Sequence, residues 1–215
     1  MKVLVTGSSK GIGKKIAQKF LSYGHEVVGI DISEQTVYSK KYTHIVCDVR
    51  SKDLPEIDDV EILINNAGVQ NSGYDIDVNL KGAINVTEKY GVRKGIKSIV
   101  FIASASAQTG SEFPEYAASK GGLVTYMKNV AMRIAEYGAT ANSVSPGGVL
   151  TELNDHIIKD PKLWAKVMDE TPLKKWASAE EIAAWVYFVA VTNKSMTAKD
   201  IIIDNGESAK SNFIW

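Results

Sequence analysis

Val3-Leu4-Val5-Thr6-Gly7-Ser8-Ser9-Lys10-Gly11-Ile12-Gly13 decides the fold. A short apolar run meets a glycine-rich turn, and the turn opens into a helical pattern with Ile16, Phe20 and Tyr23 on one face. Glycines at this spacing between a strand and a helix suit a dinucleotide pyrophosphate. Gly7 permits the tight turn, Gly11 lets backbone approach phosphate, and Gly13 lets the helix pack closely on the sheet. The free N–H groups of the first helical turn then face the anion. Ser8 and Ser9 are the expected start of this helix, and Gly24 is the expected left-handed residue at its end. A second apolar run, Val27-Val28-Gly29-Ile30, ends in Asp31. Strand, glycine turn, helix, strand and acidic residue, in that order, make a βαβ nucleotide-binding unit.

Strand-like runs recur at 3–5, 26–30, 44–47, 61–64, 98–103, 140–144 and 200–204, with helical spacing between several of them. This alternation predicts an α/β fold: one doubly wound parallel sheet covered by helices on both faces, spanning 1–215 as a single domain. A long helix is expected after Pro114, running to Gly138, with Tyr116, Lys120, Val124, Met127, Ala131 and Ile134 along one face. Ser178-Ala179-Glu180-Glu181 reads as a capping box opening another helix, in which Trp185, Phe188 and Val189 are expected as core or interface. Lys plus Arg equals Asp plus Glu, 25 each, so no net field favours nucleic acid or an anionic membrane. No apolar run approaches a membrane span, and the first strand begins too early for a signal peptide. The one cysteine, Cys47, lies in an apolar strand and is expected to be a buried, inert thiol, which fits a reducing, cytoplasmic setting. His25, His44 and His156 lack metal-ligand spacing, and no metal is expected.

The chemistry sits in Tyr116-Ala117-Ala118-Ser119-Lys120, which places a phenol and an ammonium one helical turn apart on the same side. A free phenol titrates near ~10, so it moves protons at neutral pH only if a nearby cation stabilises the phenolate. Lys120 supplies that cation. Ser104 stands just beyond the strand Ile99-Val100-Phe101-Ile102, at the carboxyl edge where a parallel sheet presents loop residues to a ligand.

Together these segments resemble the short-chain dehydrogenase/reductase family, in its branch with compact subunits, over nearly the whole chain. The matching pieces are Thr6-Gly7-x-x-x-Gly11-Ile12-Gly13, Asp48, Asn65-Asn66-Ala67-Gly68, Asn79 in Val78-Asn79-Leu80-Lys81-Gly82, Ser104, Tyr116 with Lys120, and Pro146-Gly147-Gly148-Val149-Leu150-Thr151. Pro172-Leu173 and Ile203-Asp204-Asn205-Gly206 also look like that family's last third. The resemblance implies hydride transfer between a nicotinamide cofactor and an alcohol or ketone. Tyr116 is then the general acid/base, Ser104 positions the substrate oxygen, Lys120 binds ribose hydroxyls and lowers the tyrosine pKa, and Asn79 holds a water of a proton relay. Cofactor contacts are implied for Gly7, Ser9, Lys10, Gly11, Ile12, Gly13, Asp31, Asp48, Val49, Asn66, Ala67, Gly68, Tyr116, Lys120, Pro146, Gly147, Val149 and Thr151.

Asp31 favours NAD(H), because its carboxylate accepts ribose hydroxyls but opposes a 2′-phosphate by up to roughly 4 kcal/mol at ~4 Å before screening. Lys10 argues for NADP(H), which related enzymes often signal by a basic residue before the second glycine. Eleven positions separate Gly68 from Asn79, and the stretch from Asp48 to Asn65 is also short for the family, so helical turns at the sheet's edge are expected to be missing. The Ser104 to Tyr116 spacing is a residue tight, which leaves Ser106 as the alternative serine. Residues 150–173 are expected to form a substrate lid. Its apolar members either meet an apolar or ring-containing substrate or pack a helical pair onto the body. The C-terminal Asn212-Phe213-Ile214-Trp215 is expected to be buried, against a neighbouring subunit of a homodimer or homotetramer or on its own body. An NADP(H)-linked 3-oxoacyl or carbonyl reductase is the competing activity, and a non-catalytic dinucleotide sensor the competing class.

Overall fold

A computed structural model describes residues 1–111 and 113–210; the C-terminal segment Asn212–Trp215 lies outside them. The sheet contains β1 (Lys2–Thr6), β2 (Glu26–Asp31), β3 (Tyr42–Val46), β4 (Ile62–Asn65), β5 (Ser98–Ile102) and β6 (Thr140–Pro146). A two-stranded pair, β7 (Val149–Leu150) with β8 (Ala177–Ser178), stands apart, and β9 (Asp200–Ile203) completes the main sheet. Its order is β3-β2-β1-β4-β5-β6-β9, parallel throughout. All seven strand-like runs of the sequence are strands. The order reverses between β1 and β4, which opens a crevice at their carboxyl ends.

Strand alternation divides the core into two layers. Leu4, Leu63, Ile99 and Phe101 point to one face, where they pack with Val86 and Tyr90 of α2 (Ala83–Tyr90) and Leu123, Met127 and Ile134 of α4 (Pro114–Ile134). Val3, Val5, Ile62, Ile64 and Val100 point to the other, against Ile16 and Phe20 of α1 (Gly11–Ser22) and Ile182 and Val186 of α7 (Ala179–Tyr187). Because helices cover both sides, β4 and β5 are buried along their whole length.

Local signals mostly hold. Gly24 ends α1 with a φ of 79°, and α4 runs from Pro114 into a 3-10 turn ending at Gly138. The α7 capping box is complete: the Ser178 N–H donates to Glu181 Oε2 at 2.7 Å, and the Glu181 N–H donates to Ser178 Oγ at 3.1 Å.

One expectation needs correction. Ser8 and Ser9 do not cap α1; its N-cap is Lys10, with no side-chain hydrogen bond, because both serines are engaged below the turn. Tyr23 is exposed and stacks on Tyr187, with ring centroids 4.4 Å apart. Trp185 and Phe188 pack edge-on against each other on the exposed side of α7 and its continuation, and only Val189 of that trio enters the core.

The shortened segments are closed by polar contacts. No helix lies between β3 and β4. Instead Asn85 donates to the carbonyls of Val49 and Ser51, Lys89 to that of Leu54 and Tyr90 to that of Pro55. Leu54, Ile57 and Val60 are buried beneath the loop they fasten.

The glycine turn has little tolerance. A Cβ on Gly13 would lie 2.0 Å from the Gly7 carbonyl oxygen, a backbone atom that cannot move aside, whereas one on Gly121 inside α4 would meet nothing nearer than 3.9 Å. Gly13→Ala is therefore expected to lose about 3 kcal/mol in chemical denaturation, and Gly121→Ala to gain up to about 1 kcal/mol.

Candidate active site

The glycine turn is built on a contact between two strands. Asn66, just after β4, donates from Nδ2 to the carbonyls of Thr6 (2.9 Å) and Gly7 (3.0 Å), while Thr6 Oγ1 accepts the Asn66 and Ala67 N–H groups at 3.0 Å. Asn66 thus props the turn from below. Gly7 and Gly11 take φ values of 67° and 51°. Among the described residues no side chain accepts from the first-turn amides of Gly11, Ile12 and Gly13, and a Cβ on Gly11 would meet Thr151 Cγ2 only at an ordinary contact distance of 3.6 Å. These residues fit a pyrophosphate at a helix N-terminus.

Asp31 ends β2 buried, with Oδ2 accepting the Ser9 N–H (2.9 Å) and Oδ1 the Ser33 N–H (2.8 Å). Each oxygen keeps a lone pair for a ribose hydroxyl. Asp48 is turned towards Arg50, whose guanidinium chelates it and holds its carboxyl below the usual range. Val49 is buried against Gly82, and its carbonyl accepts from Asn85. Lys10 is exposed at the N-cap position.

Across the crevice, Gly68 brings Asn79 and Lys120 to the end of β4: a Cβ there would lie 3.1 Å from Asn79 Oδ1 and 3.4 Å from Lys120 Nζ. Asn79 sits in a π-helical stretch, Ile76–Gly82, that leads into α2. Both of its side-chain N–H donors are used: Nδ2 donates to the Val69 carbonyl (2.9 Å) and to Ser119 Oγ (3.0 Å), while Oδ1 accepts the Val69 N–H (2.8 Å).

Lys120 is buried, donates to the Ile102 carbonyl at 2.9 Å, and stands 5.7 Å from the centroid of the Tyr116 ring. Burial lowers its pKa to about 8, opposed by the charge of Asp75. Asp75 was not marked by any motif. It is a buried carboxylate that accepts the N–H groups of Asn71 and Ser72 and the Ser72 hydroxyl, closing the short Gly68–Asn79 connection beside the lysine.

Ser104 follows β5, and its Oγ accepts the Ser106 N–H (3.2 Å) where α3 (Ser106–Thr109) begins. The Ser106 hydroxyl is enclosed by protein, with no hydrogen-bond partner among the described residues. The Ala105 N–H donates to the Pro146 carbonyl and the Gly147 N–H to that of Ile203, which ties the Ser104 loop to the strand ends beyond it. Gly148 leaves room for the indole of Trp176, whose Nε1 donates to Glu207 (3.0 Å).

Residues 150–173 form a 3-10 turn, α5 (Asp155–Ile158) and α6 (Pro161–Glu170), with no buried residue before Thr171. Trp164 of α6 packs edge-on against Trp176 at 5.2 Å. Ile157, Ile158, Val167 and Met168 are half-buried, and Leu153 is 58% exposed, so the apolar residues of this segment are not absorbed into the core. A cleft of about 410 Å3 lies between Gly11, Lys14, Thr151, Glu152, Asp155 and Ile158. A larger groove at the opposite, amino edge of the sheet contains none of these site residues. Cys47 is half-buried, and burial pushes its thiol up, away from reactivity. Among the described residues, no cluster of three or more His, Cys, Asp or Glu side chains is placed to hold a metal, and no helix is long and apolar enough to cross a membrane.

A switch-point crevice with a glycine turn on one side and a serine, tyrosine and buried lysine on the other belongs to the dinucleotide-linked oxidoreductases of the doubly wound class. Residues 7–208 match the family model described as enoyl-(acyl carrier protein) reductase. The chain is 31% identical to the 3-oxoacyl-(acyl-carrier-protein) reductase FabG of Buchnera aphidicola subsp. Schizaphis graminum, over 94% of this chain and 95% of the relative. It is 27% identical to the glucose 1-dehydrogenase of Gluconobacter oxydans, over 99% and 93%. The ligand-free aldohexose dehydrogenase of Thermoplasma acidophilum superposes with a TM-score of 0.88 at 27% identity, covering all of this chain and 96% of that one. The chain belongs to the short-chain dehydrogenase/reductase family and is an oxidoreductase that uses NAD or NADP on a small-molecule substrate.

The buried lysine has a measurable signature. Between pH 8 and its ordinary 10.5 the unfolded chain binds the Lys120 proton and the folded chain does not, so stability rises with pH across that window. Measured against Lys120→Met, the wild type is expected to gain up to about 3 kcal/mol from the lower to the upper limit in denaturant titrations.

Proposed function

We propose that this chain interconverts an alcohol and a ketone using NAD(H), with Tyr116 as general acid/base, Ser104 holding the substrate oxygen and Lys120 supplying the cation beside the phenol. The observation that carries this reading is the burial of Lys120 one turn from Tyr116, at the rim of the crevice that the glycine turn opens. A lysine is not placed in such surroundings for stability, since desolvation penalises its charge. The nicotinamide supplies hydride acceptance or donation. In the oxidative direction, the alcohol carbon gives up its hydride while Tyr116 takes the hydroxyl proton, leaving the ketone; in reduction, both transfers reverse. The enclosed hydroxyl of Ser106 supports Ser104 as the substrate-facing serine.

NAD(H) is favoured over NADP(H) by the surroundings of Asp31. Residues 32–39 contain no lysine or arginine to neutralise a 2′-phosphate, and Lys41 reaches the Gly24 carbonyl at the far edge of the sheet. Lys10 offers a counter-charge from a solvated position. The half-buried apolar residues of α5 and α6 support a substrate with an apolar body. The exposed Trp185–Phe188 pair supports self-association as a homodimer or homotetramer.

A panel of ketones and alcohols with each cofactor, followed at the absorbance of the reduced nicotinamide, tests the assignment. Tyr116→Phe is expected to lower turnover by at least about 10²-fold while cofactor binding survives, as befits loss of a general acid/base. Retained turnover in that variant refutes the role of Tyr116.

A further inference from the structure

A chain of hydrogen bonds runs beneath the Asp31 corner and takes no part in the chemistry above. Ser8 Oγ lies 2.9 Å from the Tyr42 hydroxyl, that hydroxyl 3.1 Å from His44 Nδ1, and His44 Nε2 2.9 Å from the Ser33 carbonyl oxygen. The acceptors fix its direction. A carbonyl oxygen only accepts, so His44 carries its proton on Nε2; Nδ1 then accepts from Tyr42, and Tyr42 accepts from Ser8. Burial pushes the Tyr42 phenol up from its ordinary range, which keeps it a neutral donor.

The strands are shaped to admit this chain. Tyr42 and His44 alternate onto one face of β3, and His44 is registered opposite Gly29 of β2. A Cβ on Gly29 would stand 2.1 Å from the Tyr42 hydroxyl and 2.3 Å from Ser8 Oγ, so only glycine leaves room. The far end is Ser33, which is tied three ways: its carbonyl also accepts Ser9 Oγ at 3.4 Å, and its N–H holds Asp31 Oδ1 at 2.8 Å. Thr36 closes the same loop by donating to the Ser9 carbonyl.

We propose that Tyr42 and His44 are positioning residues for cofactor selection, holding Ser33 so that the Asp31 carboxylate stays oriented to accept ribose hydroxyls and to oppose a 2′-phosphate. This rests on the dinucleotide reading given under Proposed function. When the Ser33 carbonyl is released, the 32–36 loop loosens and Asp31 loses one of its two N–H partners. Its fixed charge and its fixed acceptor geometry then both degrade, and discrimination narrows.

The experiment measures equilibrium dissociation constants for NADH and NADPH by isothermal titration calorimetry on the full chain, without turnover. His44→Phe removes both hydrogen bonds. It is expected to weaken NADH about five- to tenfold while NADPH changes by less than about twofold. His44→Gln keeps a donor for Ser33 and an acceptor for Tyr42, and is expected to restore the wild-type ratio. Gly29→Ala, which drives a methyl group into the Ser8–Tyr42 contact, is expected to narrow the ratio as His44→Phe does and serves in its place if that variant does not fold. An unchanged NADH-to-NADPH ratio in the folded variants overturns the relay while leaving the cofactor reading intact. A wild-type protein that binds neither dinucleotide, or prefers NADPH, overturns the cofactor reading and the relay with it.

Discussion

The structure depends on how closely the glycine turn can approach the end of β4. Asn66 reaches two carbonyls of the turn at about hydrogen-bond length, and Thr6 returns the contact through its hydroxyl. Both are possible only because Gly7 and Gly13 lack side chains: a Cβ on either would fall within 3 Å of Asn66 Nδ2. This contact continues the β1–β4 pairing past the ends of the strands and ties the glycine turn to the residues after β4. The crevice, the open amides of α1 and the position of Gly68 opposite them all follow from it.

On the other side of the crevice, α4 acts as the ruler. Tyr116, Ser119 and Lys120 fall on adjacent positions of its first turns, so the helix that packs Leu123, Met127 and Ile134 into the core also delivers the polar groups. Ser119 accepts from Asn79, and Asn79 in turn holds the backbone of Val69, so the loop after β4 is fastened to the same helix. Lys120 is tolerated there because the Ile102 carbonyl accepts its proton and the buried Asp75 opposes the effect of burial. A lysine with one carbonyl partner and little solvent is destabilised as a cation, which is why its pKa falls.

Economy of length is achieved by side chains standing in for helices. Between β3 and β4, Asn85, Lys89 and Tyr90 of α2 satisfy the carbonyls of a loop that has no hydrogen-bonded ladder of its own. Between β4 and α2, Asp75 gathers three donors of the preceding turn, and the chain enters α2 through wide π-helical turns. These devices are invisible to periodicity: those of α2 join side chains to backbone some 35 residues away, and that of Asp75 closes an irregular turn rather than a repeating element.

The amino-acid sequence alone determined the order of strands and helices, the glycine turn, the Ser178–Glu181 cap and the pairing of Tyr116 with Lys120. Each of these is encoded by neighbours within about one helical turn or one strand, where spacing dictates geometry. The shortness of the Asp48–Asn65 and Gly68–Asn79 segments was equally legible as missing helix. The tertiary structure alone decided which polar groups are free. Ser8 and Ser9 carry the residue type of a helix cap yet serve Tyr42 and Asp31, since β2 and β3 lie beneath them. Asp48 is turned to Arg50, the Asn79 amide is consumed by Val69 and Ser119, and Asp75 and the Ser8–Tyr42–His44–Ser33 chain carry no local motif. Gly29, an unforced glycine inside a strand, was the one local sign of that chain. Spacing along the chain says which groups can reach a site, but whether a donor or acceptor remains available there depends on partners that only folding brings within 3 Å.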